Sequence, residues 1–129
     1  MRRLVIPVIV TVIFTTLLFG QKEDKEGKAW LDTFTEAAAV NVTGLWSSQD
    51  WARISLSQRE GSRKIVGAGD GWEISGVVSG KIVCLLFTHN GKIAYSAKLT
   101  AEGSTRLTGV YTKGLLSSGS RTIPMLLQK

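Results

Sequence analysis

The sequence predicts an all-β fold: a single small antiparallel up-and-down β-barrel of about eight strands, preceded by a signal sequence and a short amphipathic helix. Three observations carry that expectation. From Asn41 onward apolar residues recur with period two, the signature of half-buried strands. Glycines at 61, 71, 80, 91, 103 and 114 punctuate this stretch every nine to twelve residues, the spacing of short strands joined by tight hairpins. Finally, an aliphatic-x-glycine motif recurs inside the strands, as Val42-Thr43-Gly44, Ile65-Val66-Gly67, Ile74-Ser75-Gly76 and Leu107-Thr108-Gly109. Glycine weakens a strand interior and is retained where a sheet bends sharply, so this repetition predicts a sheet that closes on itself.

The chain opens with Met1-Arg2-Arg3 and then runs from Leu4 to Phe19 without a charge, followed by Gly20. A basic start, an apolar stretch and a small residue make residues 1–20 a signal peptide or a short signal anchor. Sixteen helical residues span only about 24 Å against a hydrocarbon core of roughly 30 Å, which favours cleavage over anchoring. In either case the arginines stay cytoplasmic and the remainder is expected outside the cytoplasm, secreted, periplasmic or envelope-associated, or held at the membrane by residues 4–19. Residues 21–28 carry six charges and read as a polar linker. Over 29–40, Trp30, Leu31, Phe34, Ala37 and Ala38 recur at helical spacing and predict a short helix, lying across one mouth of the barrel or, beside a retained anchor, on the membrane surface.

Residues 41–129 form the predicted barrel, with strands over 42–47, 52–58, 63–68, 72–78, 81–88, 92–100, 105–113 and 122–128. Asp70-Gly71 and Asn90-Gly91 are the best turn signals, because both central residues of a type I′ turn need positive φ. Alternation predicts Ile93, Tyr95, Ala97 and Leu99 on one face, against Ser96, Lys98 and Thr100. Ile82 to Phe87 is apolar on both faces, so the helix or a second subunit must cover its outer side. Pro124 suits an edge or a bulge of the last strand.

Thr43-Gly44-Leu45-Trp46, and later Leu107-Thr108-Gly109-Val110-Tyr111, resemble the Gly-x-Trp start and strand texture of avidin-like and other calycin small secreted β-barrels. In avidins the second pattern comes early, whereas here it falls in the seventh strand. The resemblance implies the barrel; it does not extend to the residues of a biotin site.

Composition excludes several function classes. Sixteen basic against ten acidic residues give +6, and without Arg2 and Arg3 the balance is fourteen against ten, or +4. These cations are spread over different strands, unlike the basic stripe of a nucleic-acid binder. Cys84 is the single cysteine and His89 the single histidine, so neither an internal disulfide nor an ordinary zinc site can be assembled. Asp70 and Glu73 flank a turn, and Ser117, Ser118 and Ser120 have no base beside them, so the chain reads as no enzyme, with no cofactor, no metal and no catalytic residue. Asn41-Val42-Thr43 is a glycosylation sequon, relevant only in a eukaryotic secretory pathway.

What remains is recognition. Trp46, Trp51, Trp72, Tyr95 and Tyr111 are the candidate ligand-binding residues, with Phe87 beside them, because aromatics at a barrel mouth offer flat apolar area. The reading is an exported, non-catalytic β-barrel module binding a small apolar or amphipathic ligand. The alternative is an envelope interaction protein or enzyme inhibitor acting through the 114–121 loop, with Leu115 and Leu116 as contacts. Its partners are then a small ligand or an extracytoplasmic protein, homo-oligomerisation stays open, and the membrane is touched only through an uncleaved N-terminal segment.

Overall fold

The computed structural model describes residues 25–49 and 51–129. The expected signal sequence or anchor, and the first half of the expected linker, lie outside the described residues. Among the described residues no helix is long and apolar enough to cross a membrane.

All eight expected strands are present: β1 (Gly44–Trp46), β2 (Ile54–Gln58), β3 (Lys64–Gly69), β4 (Trp72–Ser79), β5 (Ile82–His89), β6 (Lys92–Glu102), β7 (Arg106–Lys113) and β8 (Ile123–Gln128). They form one antiparallel sheet in strict chain order. Asp70 and Gly71 have φ of 54° and 82°, Asn90 and Gly91 of 53° and 77°, as two-residue type I′ hairpins require. Alternate residues such as Ile54, Leu56, Ile65, Ile74, Leu85 and Leu99 point inward and are buried in one core.

The sheet curls because its inner face carries glycine where strands crowd. A Cβ added at Gly67, Gly76 or Gly109 would run into the backbone carbonyl oxygen of Ser55, Cys84 or Lys98 on the adjoining strand. These are three of the four recurring motif glycines.

Curling stops at a half-barrel instead of the closed barrel expected from sequence. Among the described residues, backbone bonds between the sheet's two edges are made only by Ser47 and Gln128, at 2.8 and 2.9 Å. Two local facts stop the ladder there. Beyond Ser47 the chain leaves the seam to seat Trp51 inside the half-barrel, where it is 8% exposed. On the other side, backbone groups of β8 face the seam at the same parity as Gln128, which includes Pro124, and proline has no N–H to offer. Pro124 thus sits on an edge, as its chemistry demands.

The helix is displaced from its expected place. Helix α1 is described over residues 25–32, and residues 34–43 are not helical. Lys25, Glu26 and Lys28 are good helix formers once Trp30 and Leu31 have a surface to dock on. That surface is the outer face of β4 to β6, where Leu31 is buried with Val77, Cys84 and Leu86, and Trp30, Phe34 and Ile93 pack around them. The two-sided apolar run of β5 is therefore covered by the chain itself. Thr33 closes the helix, its Oγ1 donating to the Trp30 carbonyl at 2.6 Å.

The mouth expected to lie under the helix is crossed instead by the strap 35–43. Ala38 pairs with Gly80 in a parallel bridge, the Ala39 N–H donating to the Gly80 carbonyl at 2.9 Å and the Gly80 N–H to the Ala37 carbonyl at 3.0 Å, and Arg63 Nη1 donates to the Phe34 carbonyl at 2.6 Å. Buried Gln58 clasps the strap, accepting from the Val42 N–H at 2.9 Å and donating to the Val40 and Ser62 carbonyls at 3.1 and 3.0 Å.

One register detail separates observed from expected faces on β6. Phe87 lies opposite Tyr95 but Thr88 opposite Ile93, so Ala94 is an extra, bulged residue. The bulge turns Ile93 to the outer face, away from Tyr95, Ala97 and Leu99.

Candidate functional site

The end of the half-barrel opposite the strap carries the β1–β2 loop, the two type I′ turns and the 114–121 loop. Strand geometry aims one aromatic inward from each element there: Trp72 from the start of β4, Phe87 from β5, Tyr95 just past the β6 bulge and Tyr111 from β7. Trp51 enters from the β1–β2 loop and occupies their centre. Its ring centroid is 4.5 Å from Phe87, 5.3 Å from Tyr95, 5.3 Å from Tyr111 and 6.4 Å from Trp72. The two tyrosines meet it nearly edge-on, at 84° and 80°, the favoured arrangement for opposed ring quadrupoles. Tyr95 further contacts Trp72 at 5.6 Å and Tyr111 at 5.9 Å, so the five rings form one connected set.

Within this set Trp51 Nε1 is buried with no hydrogen-bond partner, the single such side-chain atom among the described residues. Its backbone is positioned by a 3.0 Å bond from the Trp51 N–H to Ser48 Oγ. The outer rim is set by His89, whose Nδ1 lies 3.3 Å from the Gly71 carbonyl and whose ring lies 5.8 Å from Trp72.

Of the five residues singled out from sequence, Trp51, Trp72, Tyr95 and Tyr111 come together and Trp46 does not join them. Trp46 is 2% exposed, its Nε1 donates to the Val42 carbonyl at 2.8 Å, and the Lys129 ammonium lies 5.3 Å above its ring. It is a packing residue near the strap. Sequence reasoning did not single out Trp51 from the other tryptophans, and no periodicity could have, since Trp51 sits in a loop.

Leu115 and Leu116 are half-buried. Leu115 packs against the cluster beneath α1, and the Leu116 N–H donates to Ser96 Oγ at 2.7 Å. Thr112 Oγ1 donates to the Arg121 carbonyl at 2.7 Å, tying the far end of the loop to β7, and the Ser117 N–H donates to Ser120 Oγ at 2.8 Å within the loop itself. Cys84 is buried on the outer face, and desolvation pushes its thiol up to about 12, against a smaller opposing pull from Lys98. Among the described residues no three His, Cys, Asp or Glu side chains gather where they could hold a metal ion.

The arrangement holds one flat apolar group, the Trp51 indole, by face and edge contacts. No protein-family model matches the chain, and neither the curated proteins nor the solved structures yield a similar one. Nothing among these comparisons links the chain to avidin-like or calycin barrels.

Proposed function

We propose that this chain is an exported, non-catalytic binding module whose aromatic end accepts a small, flat, apolar or amphipathic ligand in the slot that Trp51 fills. The observation that carries this reading is the buried, unpartnered Trp51 Nε1 amid Trp72, Phe87, Tyr95 and Tyr111. An unpaired buried donor costs about 1–3 kcal/mol, so the plug is held less firmly than its burial alone implies. A ligand with no donor to bury makes the same ring contacts without that cost, and the freed indole N–H regains water. The rest of the interior is packed with the sheet's own side chains, which leaves the plug's place as the volume to exchange. A role for the 114–121 loop in capturing a protein is less well supported, because its leucines already have contacts within the chain.

Native mass spectrometry of the purified protein, wild type and Trp51→Ala, tests the reading. Extra mass lost on denaturation, retained more strongly by Trp51→Ala, is the expected result. A chain that flies empty in both forms, and whose Trp51→Ala variant takes up no added anilinonaphthalene sulfonate while keeping its cooperative unfolding, would sink it.

A further inference from the structure

The outer face of the sheet is covered only in part. Gly27 lets α1 press close to β5 and β6: a Cβ there would come within 2.7 Å of Leu86 Cδ1 and 2.9 Å of Ile93 Cδ1. Between α1 and β3 the same face stays open, as a groove of about 420 Å³. Leu31 forms one wall, Val66 the other, and Val77 and Leu86 the floor. Val66 is 63% exposed, more than any other large apolar side chain among the described residues. Lys28 and Lys64 stand on opposite rims, with Asp32 beside Lys28 one turn further along the helix.

Charge and chain length choose an occupant. Two ammonium groups against one carboxylate leave the rim net cationic, which suits an anionic head over an apolar tail. In addition, α1 is described from residue 25, six residues after Phe19, the end of the uncharged run 4–19. Six residues can span at most about 20 Å. A chain that keeps residues 4–19 in a bilayer therefore holds the start of α1 within about 20 Å of the hydrocarbon core, close enough for the groove to meet headgroups.

We propose that the groove holds one acyl chain of an anionic phospholipid, with its phosphate between Lys28 and Lys64. The site lies on the face opposite the aromatic slot, shares no residue with it, and does not rest on the ligand reading above.

The test is native mass spectrometry of the full chain, residues 1–129, released from non-ionic detergent with added dioleoyl phosphatidylglycerol or dioleoyl phosphatidylcholine. One phosphatidylglycerol retained per chain is expected, with phosphatidylcholine held weakly and glycerol phosphate unable to compete. Val66→Asp, and separately the pair Lys28→Glu with Lys64→Glu, should each lower retention about tenfold or more. All three positions are exposed, so these variants keep the fold, and unchanged near-UV circular dichroism checks it. Equal retention by the variants would place the lipid on residues 4–19 and overturn the proposal. Indifference to headgroup, displacement by glycerol phosphate, or no retained lipid would overturn it as well. None of these outcomes bears on Trp51→Ala, so failure here is distinguishable from failure of the ligand reading.

Discussion

Replacing Trp51 by phenylalanine should cost almost nothing, although Trp51 is a buried aromatic at the centre of five rings. Phenylalanine is smaller by about 40 Å³, and at about 24 cal/mol per Å³ of cavity the hole costs about 1 kcal/mol, to which lost transfer energy adds a similar amount. Against this, the substitution removes a buried N–H that has no acceptor, relieving about 1–3 kcal/mol. The two terms offset, and the net change is expected within about 1 kcal/mol of zero. Trp46→Phe supplies the control inside the same molecule. It loses a similar volume but also a 2.8 Å bond to the Val42 carbonyl, leaving that acceptor unpaired, so about 3–5 kcal/mol of destabilisation is expected. Urea unfolding followed by far-UV circular dichroism reads both, with the midpoint compared at constant m-value. If Trp51→Phe lowers stability as much as Trp46→Phe, then Nε1 is satisfied in solution and the exchangeable plug loses its physical basis.

Two further outcomes follow from the curl and from the covered outer face. Gly109→Ala drives a methyl into the Lys98 carbonyl and should cost about 2–3 kcal/mol or more, since backbone cannot yield as a side chain does, whereas Gly119→Ala, with open space around it, should stay within about 0.5 kcal/mol; thermal melts of the pair check this. Cys84 should resist a disulfide reagent near pH 8 until the protein is unfolded. Because burial raises its folded pKa from 9.0 to about 12, the unfolded chain alone gives up this proton between those values, and stability should fall as pH rises through that window and not below it.

The strands and turns were readable because their causes are local. Asp70-Gly71 and Asn90-Gly91 fix hairpins through backbone conformation alone, and Ile82 to Phe87 announced a covered outer face by having no polar side. The failures are of a different kind. Residues 34–40 carry a helical pattern, yet their N–H and C=O groups find partners on Ser79 and Gly80, which a period count cannot see. Ile93 looked inward because alternation assumes an unbroken ladder, and the bulge at Ala94 is visible only against β5. At the site, the inward positions of Trp72, Phe87, Tyr95 and Tyr111 came from strand parity. That Trp51 and not Trp46 completes the set depended on where a loop turns, and tertiary packing decides that.

The seam between β1 and β8 has a consequence for how the molecule assembles and breathes. Every ladder in the sheet joins chain neighbours, so each can zip up as a hairpin with little loop-closure entropy. The pair Ser47 and Gln128, 81 residues apart, is the one backbone pairing of the two edges among the described residues. It has nothing to close upon until the hairpins between them are built, and it can part without disturbing any of them. Ser47 is also four residues from Trp51 on the same loop. The fastening at the seam and the indole at the aromatic end therefore belong to one short loop.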